Sequence, residues 1–271
     1  MTPDVIKRAS LPPHLRTTDL ARAVGVHPNT VRVYEQWGFL PSVPRAPNGY
    51  RLYTPFHLDQ MRLARTALHG GWPGRAIRRS AVQLVRQSAA GDVRGALQQA
   101  RRHLMLVQAE RAQAEAAADY LEHWANGEFD AERVARLQIG EAAELLNVTT
   151  DMLRNWERNG LIKVPRDRGN RYRLYGPIEI GRLRVLRLLF RAGYSSMAIL
   201  RMMRRLDRGQ RSNLRRALDT PSPDEDILTT ADRWLSTLAE QERRAREMIA
   251  QLTAMQRRQQ RDPRTYSNPR R

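Results

Sequence analysis

At 271 residues the chain has room for about two domains. Its 47 Lys plus Arg against 28 Asp plus Glu give a net charge of +19 and a pI near 11.4, which points to a polyanionic partner such as nucleic acid. The absence of cysteine excludes disulfides, thiolate metal sites and cysteine nucleophiles, and no stretch approaches the roughly 20 apolar residues of a membrane span.

Residues 1–15 hold Pro3, Pro12 and Pro13 without periodicity or a signal-peptide apolar run, so a loose arm is expected and the protein is read as soluble and cytoplasmic. From residue 16 to 91 the pattern is that of a winged helix-turn-helix. Leu20, Ala21, Val24 and Val26 have helical spacing behind Thr17 or Thr18 as N-cap, and Gly25 supplies the left-handed stop. Pro28 then fits the first position of a second helix, whose inner face is Val31, Tyr34 and Leu40. Its outer face carries His27, Asn29, Thr30, Arg32 and Val33. A β-hairpin wing is expected next, with Asn48-Gly49 as its turn and Tyr50 to Tyr53 alternating as a strand. Pro55 starts a third helix and a fourth follows from Pro73. Trp37, Trp72, Trp156 and Tyr194 are read as packing residues.

Residues 92–125 read as a long pairing helix, because Leu97, Ala100, Leu104, Val107, Arg111, Ala114, Ala118 and Leu121 step by three and four. After a linker at 126–136, residues 137–208 repeat the winged helix-turn-helix, and 209–225 read as a second linker. A second pairing helix is expected at 226–260, with Leu228, Ala231, Leu235, Leu238, Glu242, Ala245, Ile249 and Leu252 on its seam, before a disordered tail at 261–271. One charged residue interrupts each seam, Arg111 in the first and Glu242 in the second. Opposite charges favour an antiparallel pairing of the two different helices, within one chain or swapped between two, over pairing of each helix with its own copy.

The repeat is explicit. A gapless offset of 122 aligns Arg32 with Arg154, Glu35 with Glu157, Gly38 with Gly160 and Tyr53 with Tyr175, and 16 of the 61 positions from 18 to 78 are identical in 140 to 200. Charge follows it: residues 14–79 hold 10 basic and 3 acidic residues, residues 137–206 hold 14 and 6, and residues 92–135 between them hold 5 and 8. In the second copy Thr149 or Thr150 caps a helix that shows Asp151, Arg154 and Asn155, and its wing adds Arg166, Arg168, Arg171 and Arg173 as phosphate-contacting candidates. The N-terminal residues of each second helix are the candidate base readers: Asn29 for adenine edges, His27, Thr30, Thr149, Thr150 and Asp151 for several bases, Arg32 and Arg154 for phosphate or guanine. Because the two faces differ, two unlike half-sites are expected.

Val31-Arg32-Val33-Tyr34-Glu35, Gly38-Phe39-Leu40 and Gly49-Tyr50-Arg51-Leu52-Tyr53 resemble the signature of MerR-type transcription regulators, and Leu153 to Glu157 with Tyr172 to Tyr175 resemble it again. The resemblance implies winged heads, an antiparallel helix pair, binding and untwisting of promoters with an overlong spacer, and engagement of RNA polymerase. It also implies that Arg32, Tyr34, Arg51, Tyr53, Arg154, Trp156, Arg173 and Tyr175 hold phosphates. The chain departs from the family in carrying two heads, in placing Val33 and Asn155 where an aromatic is usual, and in lacking metal-binding cysteines and a sizeable effector domain. No cofactor is expected.

The fold expected is therefore mainly α, with two winged units joined by long coiled-coil-like helices. The function expected is sequence-specific binding of double-stranded DNA at the nucleoid, with an architectural DNA binder as the alternative. An enzyme is not expected: the six His are scattered without metal-ligand spacing and Gly70-Gly71-Trp72-Pro73-Gly74 forms no phosphate loop.

Overall fold

A computed structural model describes residues 14–70, 74–127, 136–220, 233–263 and 266. Among them the helices are α1 (Thr17–Val24), α2 (Pro28–Gln36), α3 (Pro55–Leu68), α4 (Gly74–Ala89), α5 (Val93–Ala125), α6 (Ile139–Leu146), α7 (Thr150–Arg158), α8 (Pro177–Arg191), α9 (Ser196–Asp207), α10 (Leu214–Asp219) and α11 (Trp234–Arg261). The chain divides into two compact units, residues 1–107 with 241–271, and residues 108–240. Each unit is one head completed by part of α5 and part of α11.

The helix-turn-helix of each head is built from local rules. Gly25 ends α1 at φ 67° and Asn147 ends α6 at φ 47°, the left-handed turn that glycine and asparagine adopt at least cost. The N-cap of α1 is Arg16 rather than either threonine: the Asp19 carboxylate one turn on accepts its N–H at 2.9 Å, so a carboxylate at the third position does the capping. Glu141 does the same for Gln138 at 2.6 Å in the second head. Leu20, Ala21, Val31 and Tyr34 bury one face of the first motif, and Ala142, Leu146, Leu153 and Trp156 that of the second.

The expected β-hairpin wings do not reach strand length. Among the described residues each is a turn closed by one isolated bridge, Arg45 to Arg51 and Arg166 to Arg173, and a second bridge ties each wing to the head's first residues, Leu15 to Tyr53 and Leu137 to Tyr175. Pro41, Pro44 and Pro47, and Pro165 in the second copy, lack the N–H donors a ladder needs. The wings also correct the gapless alignment. Leu52 donates to Pro44 at 2.9 Å and Leu174 donates to Pro165 at 2.9 Å, so Pro44 matches Pro165 and Arg45 matches Arg166. Pro41, Ser42 and Val43 stand against Lys163 and Val164 alone, and the second turn carries the residue that restores the register.

A polar side chain of the next helix holds the chain just after α2 and just after α7. In the first head the Gln60 amide of α3 donates to the carbonyls of Phe39 and Val85, both at 2.9 Å, and accepts from Ser88 at 2.7 Å. In the second, Arg182 at the matching position donates to Leu161 O at 3.0 Å and pairs with Asp207 of α9 at 2.6 Å. Different chemistry meets the same requirement, because a carbonyl buried without a donor is costly.

The seam residues of α5 and α11 lie on the covered faces of their helices. Ala100, Val107, Ala114, Ala118 and Leu121 are buried, as are Leu238, Ala245 and Leu252, while Leu104, Leu235 and Ile249 are half-buried. Leu228 and Ala231 fall outside the described residues. In the first unit Leu97 and Ala100 share a core with Ala245, Met248, Leu252 and Met255, with Leu104 packed against it. Arg111 has Glu115 among its partners, at 2.9 Å, and Glu242 has Arg246, each one turn along the same helix.

Three segments expected to be loose contain packed residues. Leu15, in the expected arm, is buried and paired with Tyr53. The stretch taken as a second linker contains α10, whose Leu214, Ala217 and Leu218 are buried and whose Ala217 carbonyl accepts from Arg201 at 2.8 Å. The neighbouring Gly209, Pro221 and Pro223 masked its short apolar face. Tyr266, in the expected tail, packs edge-to-face on Phe56 at 5.4 Å and donates to Asp59, which also pairs with Arg258. The rest of the arm before His14, residues 128–135 and 221–232, and tail residues 264, 265 and 267–271 lie outside the described residues.

One buried group works against stability. His103 of α5 is fully buried, neither ring nitrogen has a hydrogen-bond partner among the described residues, and burial lowers its pKa from 6.5 to about 4. The unfolded chain takes up this proton near pH 6.5 and the folded chain only near 4, so between those values the unfolded state binds more protons and stability rises with pH. At about 1.4 kcal/mol per pH unit the gap is worth on the order of 3 kcal/mol. His103→Leu is expected to raise stability by about 1–3 kcal/mol at pH 7 and by more at pH 5, read from urea unfolding at both values. A destabilised variant, or an unchanged pH dependence, sinks this account.

Candidate nucleic-acid interface

In the first head, α2 presents Asn29 and Arg32 to solvent, with Thr30 and Val33 half-exposed. His27 is its N-cap: Nδ1 accepts the Asn29 N–H at 3.2 Å, which leaves Nε2–H as the donor available to a ligand. The wing is fastened to this helix by Arg51, whose Nε donates to Glu35 at 2.8 Å. Between helix, wing and the end of α4 lies an open cleft of about 810 Å3 in which Asn29, Arg32, Arg51 and Arg86 converge. Arg32 has no ion pair among the described residues, so its charge is available to an anion.

The second head repeats the plan with more charge. Thr149 caps α7 by accepting the Met152 N–H at 3.1 Å, and Thr150 is the helix's first residue. Asp151, Arg154 and Asn155 are exposed, and Arg154 is held by Asp151 at 2.8 Å. Asn155 accepts from Asn159 on the next turn. Arg173 pairs with Glu157 at 2.5 Å, and Arg166 lies 4.0 Å from the same carboxylate. Arg154, Arg166, Arg171 and Arg173 gather with Tyr172 around a cleft of about 280 Å3 at the start of α6, while Arg168 stands exposed on the wing outside it. Arg171 sits at φ 61°, where the first head has Gly49 at φ 81°; a guanidinium is kept at a backbone conformation that glycine adopts more cheaply. Four guanidinium groups thus line one small cleft.

Two of the four aromatic residues assigned to phosphates, Tyr53 and Tyr175, need correction. Tyr53 and Tyr175 are core residues with hydroxyls shielded from solvent, and burial raises both pKa values. A phosphate oxygen cannot reach either hydroxyl in this conformation. Tyr34 and Trp156 have mostly buried rings, Tyr34 against Phe39 and Trp156 stacked on Phe190. The exposed tyrosines are Tyr50, at 70%, and Tyr172, at 62%, one on each wing. Their identity in the two copies and the two-residue period of extended chain carried that signal, since Arg51 and Tyr53 share the face opposite Tyr50. Arg45 was also missed, because the gapless alignment set Asp167 against it; Arg45 donates to Gly49 O at 3.0 Å much as Arg166 donates to Arg171 O at 3.4 Å. Trp37, read as packing, is 57% exposed, and Trp72 lies outside the described residues.

The sequence model of the MerR HTH family of regulatory proteins matches this chain twice, at residues 15–83 and 137–206, which together make up just over half its length. The chain belongs to the MerR HTH family. Both family segments coincide with the heads described above. The chain is 34% identical over 58 residues to the "HTH-type transcriptional regulator CueR" of Escherichia coli O6:H1, a stretch covering 21% of this chain and 43% of that relative. It is equally similar, at 34% over 58 residues, to the protein of that name from Salmonella typhi, with 42% of that relative covered. The chain thus spans less than half the length of the curated relatives it matches. No solved structure matches it. Among the described residues no cluster of three or more His, Asp or Glu could hold a metal ion, and no helix is long and apolar enough to cross a membrane.

Proposed function

We propose that the chain is a sequence-specific regulator of transcription that binds double-stranded DNA with both of its MerR-like heads. The observation that carries this reading is the gathering, in each head, of arginines between the reader helix and the wing: Arg32, Arg51 and Arg86 in one, Arg154, Arg166, Arg171 and Arg173 in the other. Such clefts suit phosphates flanking a groove, while Asn29, Thr30 and Nε2–H of His27 reach base edges. Arg45, Tyr50, Arg168 and Tyr172 extend the backbone contacts along the wings.

The preferred site comprises two unlike half-sites. In the first head Arg32 has no ion pair among the described residues, whereas in the second Arg154 is partly neutralised by Asp151, so the two reader helices select different bases. Residues of α5 and α11 share a core in the first unit; the antiparallel helix pair itself rests on the opposite charges of the two seams, and it forms within one chain or is exchanged between two copies. With both heads on one polypeptide, the protein would act as a pseudo-dimer in the cytoplasm, distort its promoter and present it to RNA polymerase.

Selection from random duplex DNA, followed by footprinting, is expected to return a defined asymmetric site. Coating of DNA without preference would instead establish an architectural binder, and absence of DNA binding would end both readings. If about 6 to 10 phosphates are neutralised, affinity falls on the order of 1,000-fold or more between 50 and 200 mM salt. Titration at four salt concentrations reads this slope, and a flat profile contradicts the phosphate assignment.

A further inference from the structure

The first head carries a second open cleft, of about 420 Å3, whose lining includes Trp37, Phe39, Leu68 and Val82 together with Arg78 and Arg86. The duplication provides an internal comparison. In the second head Phe190 of α8 stacks on Trp156, with ring centroids 5.4 Å apart and planes 3° from parallel. Leu68 occupies the position of Phe190, and Trp37 that of Asn159. A smaller side chain on α3 leaves space where the second head has an aromatic ring, and an aromatic wall replaces an amide beside it.

That wall is expensive to leave in water. Trp37 is 57% exposed, its ring edge-to-face with Phe39 at 5.9 Å. Arg86 lies over the Phe39 ring at 5.5 Å, and neither Arg78 nor Arg86 has an ion pair among the described residues. The exposed Trp37 ring supplies stacking surface for a planar ring, and two guanidinium groups without an ion pair among the described residues, that of Arg86 lying over Phe39, supply donors for a carboxylate. The volume falls in the range of roughly 300–1,000 Å3 typical of small-molecule sites. We propose that this cleft binds a small aromatic carboxylate of one or two fused rings, its ring against Trp37 and Phe39 and its carboxylate on Arg78 and Arg86. Arg86 also lines the cleft between α2 and the wing. A ligand that engages Arg86 withdraws it from a DNA phosphate, so ligand and DNA oppose each other; this coupling rests on the DNA-binding reading above.

The test uses the full chain with 2-naphthoate and its uncharged analogue 2-naphthamide in titration calorimetry. The acid is expected to bind with a Kd below about 1 mM, and the amide at least about 10-fold more weakly. Leu68→Phe, which reproduces the filling of the second head, is expected to weaken the acid about 10-fold or more. Trp37→Ala, at an exposed position, should do the same without depending on how the larger ring packs. Arg86→Gln is expected to bring acid and amide within about 3-fold of each other. Saturating 2-naphthoate is expected to weaken DNA binding about 5-fold or more. Equal affinities of acid and amide, or undiminished binding in Trp37→Ala, overturn the site. Ligand binding that leaves DNA affinity unchanged overturns the sharing of Arg86. A chain that binds no DNA with or without ligand refutes the function proposed above, and calorimetry alone then decides the cleft.

Discussion

Arg32→Ala combined with Arg154→Ala is expected to lower affinity for the selected DNA site on the order of 100-fold, while the chain stays folded. Each removed guanidinium contact to phosphate or base is worth about 1–3 kcal/mol, and the two positions are the same place in the two heads. Neither holds the fold together. Arg32 is exposed and has no ion pair among the described residues, and Arg154 pairs only across one exposed helical turn with Asp151. The single changes should differ: Arg154→Ala costs less, because Asp151 already offsets part of its charge. Salt titration separates the two roles. A phosphate contact lowers the log–log salt slope by about 1 per arginine, whereas a guanine contact leaves the slope and relaxes preference at one base pair. If the double variant binds as tightly as the parent and melts at the same temperature, α2 and α7 are not the reader helices.

Gly193→Ala is expected to cost about 3 kcal/mol or more of stability in the second unit. Two effects act at once. The residue sits at φ 93°, a region that residues with a side chain enter at a cost of roughly 1–2 kcal/mol. A Cβ there would also come within 2.6 Å of the Trp234 ring. Trp234 cannot easily yield: it is buried, and its indole N–H donates to Ala192 O at 2.6 Å. Overpacking against a fixed ring adds about 1–3 kcal/mol. Gly209→Ala in the same unit is the control, since it has φ 75° with nothing within 4 Å of the added carbon, and should lose only about 1 kcal/mol. Urea unfolding of both variants reads the difference. Equal losses would mean that the Trp234 contact does not hold the start of α11 in place.

Much of each head was legible because its rules act over three or four residues. Gly25 and Asn147 ended their helices as their backbone freedom dictates, and Pro28 and Thr149 stood at the helix starts where a missing or capped donor belongs. The apolar stepping of the long helices marked the faces that are covered. The wings were less legible. A gapless alignment of the copies hid a compensated shift, because one residue lost before the wing is regained in its turn and only the backbone hydrogen bonds show it. That shift concealed Arg45 as the partner of Arg166. The family signature made Tyr53 and Tyr175 look like phosphate ligands, yet the side that each faces follows from the pairing of the wing with Leu15 or Leu137. Tyr266 and α10 were hidden in stretches whose Pro, Gly and Arg content suggests loose chain.

The sequence by itself determined the duplication, the left-handed ends of α1 and α6, the basic character of both heads and the covered stripes of α5 and α11, since all of these follow from composition or from spacing along one helix. Only the tertiary structure decided which tyrosines of the wings face solvent, that Gln60 in one head and Arg182 in the other hold the chain after α2 and α7 by different bonds, and that Phe190 stacks on Trp156 where the first head has Leu68 and Tyr34. Those outcomes depend on atoms brought together across 20 or more residues of chain, where volume and hydrogen-bond geometry set the result and neither is written in local spacing.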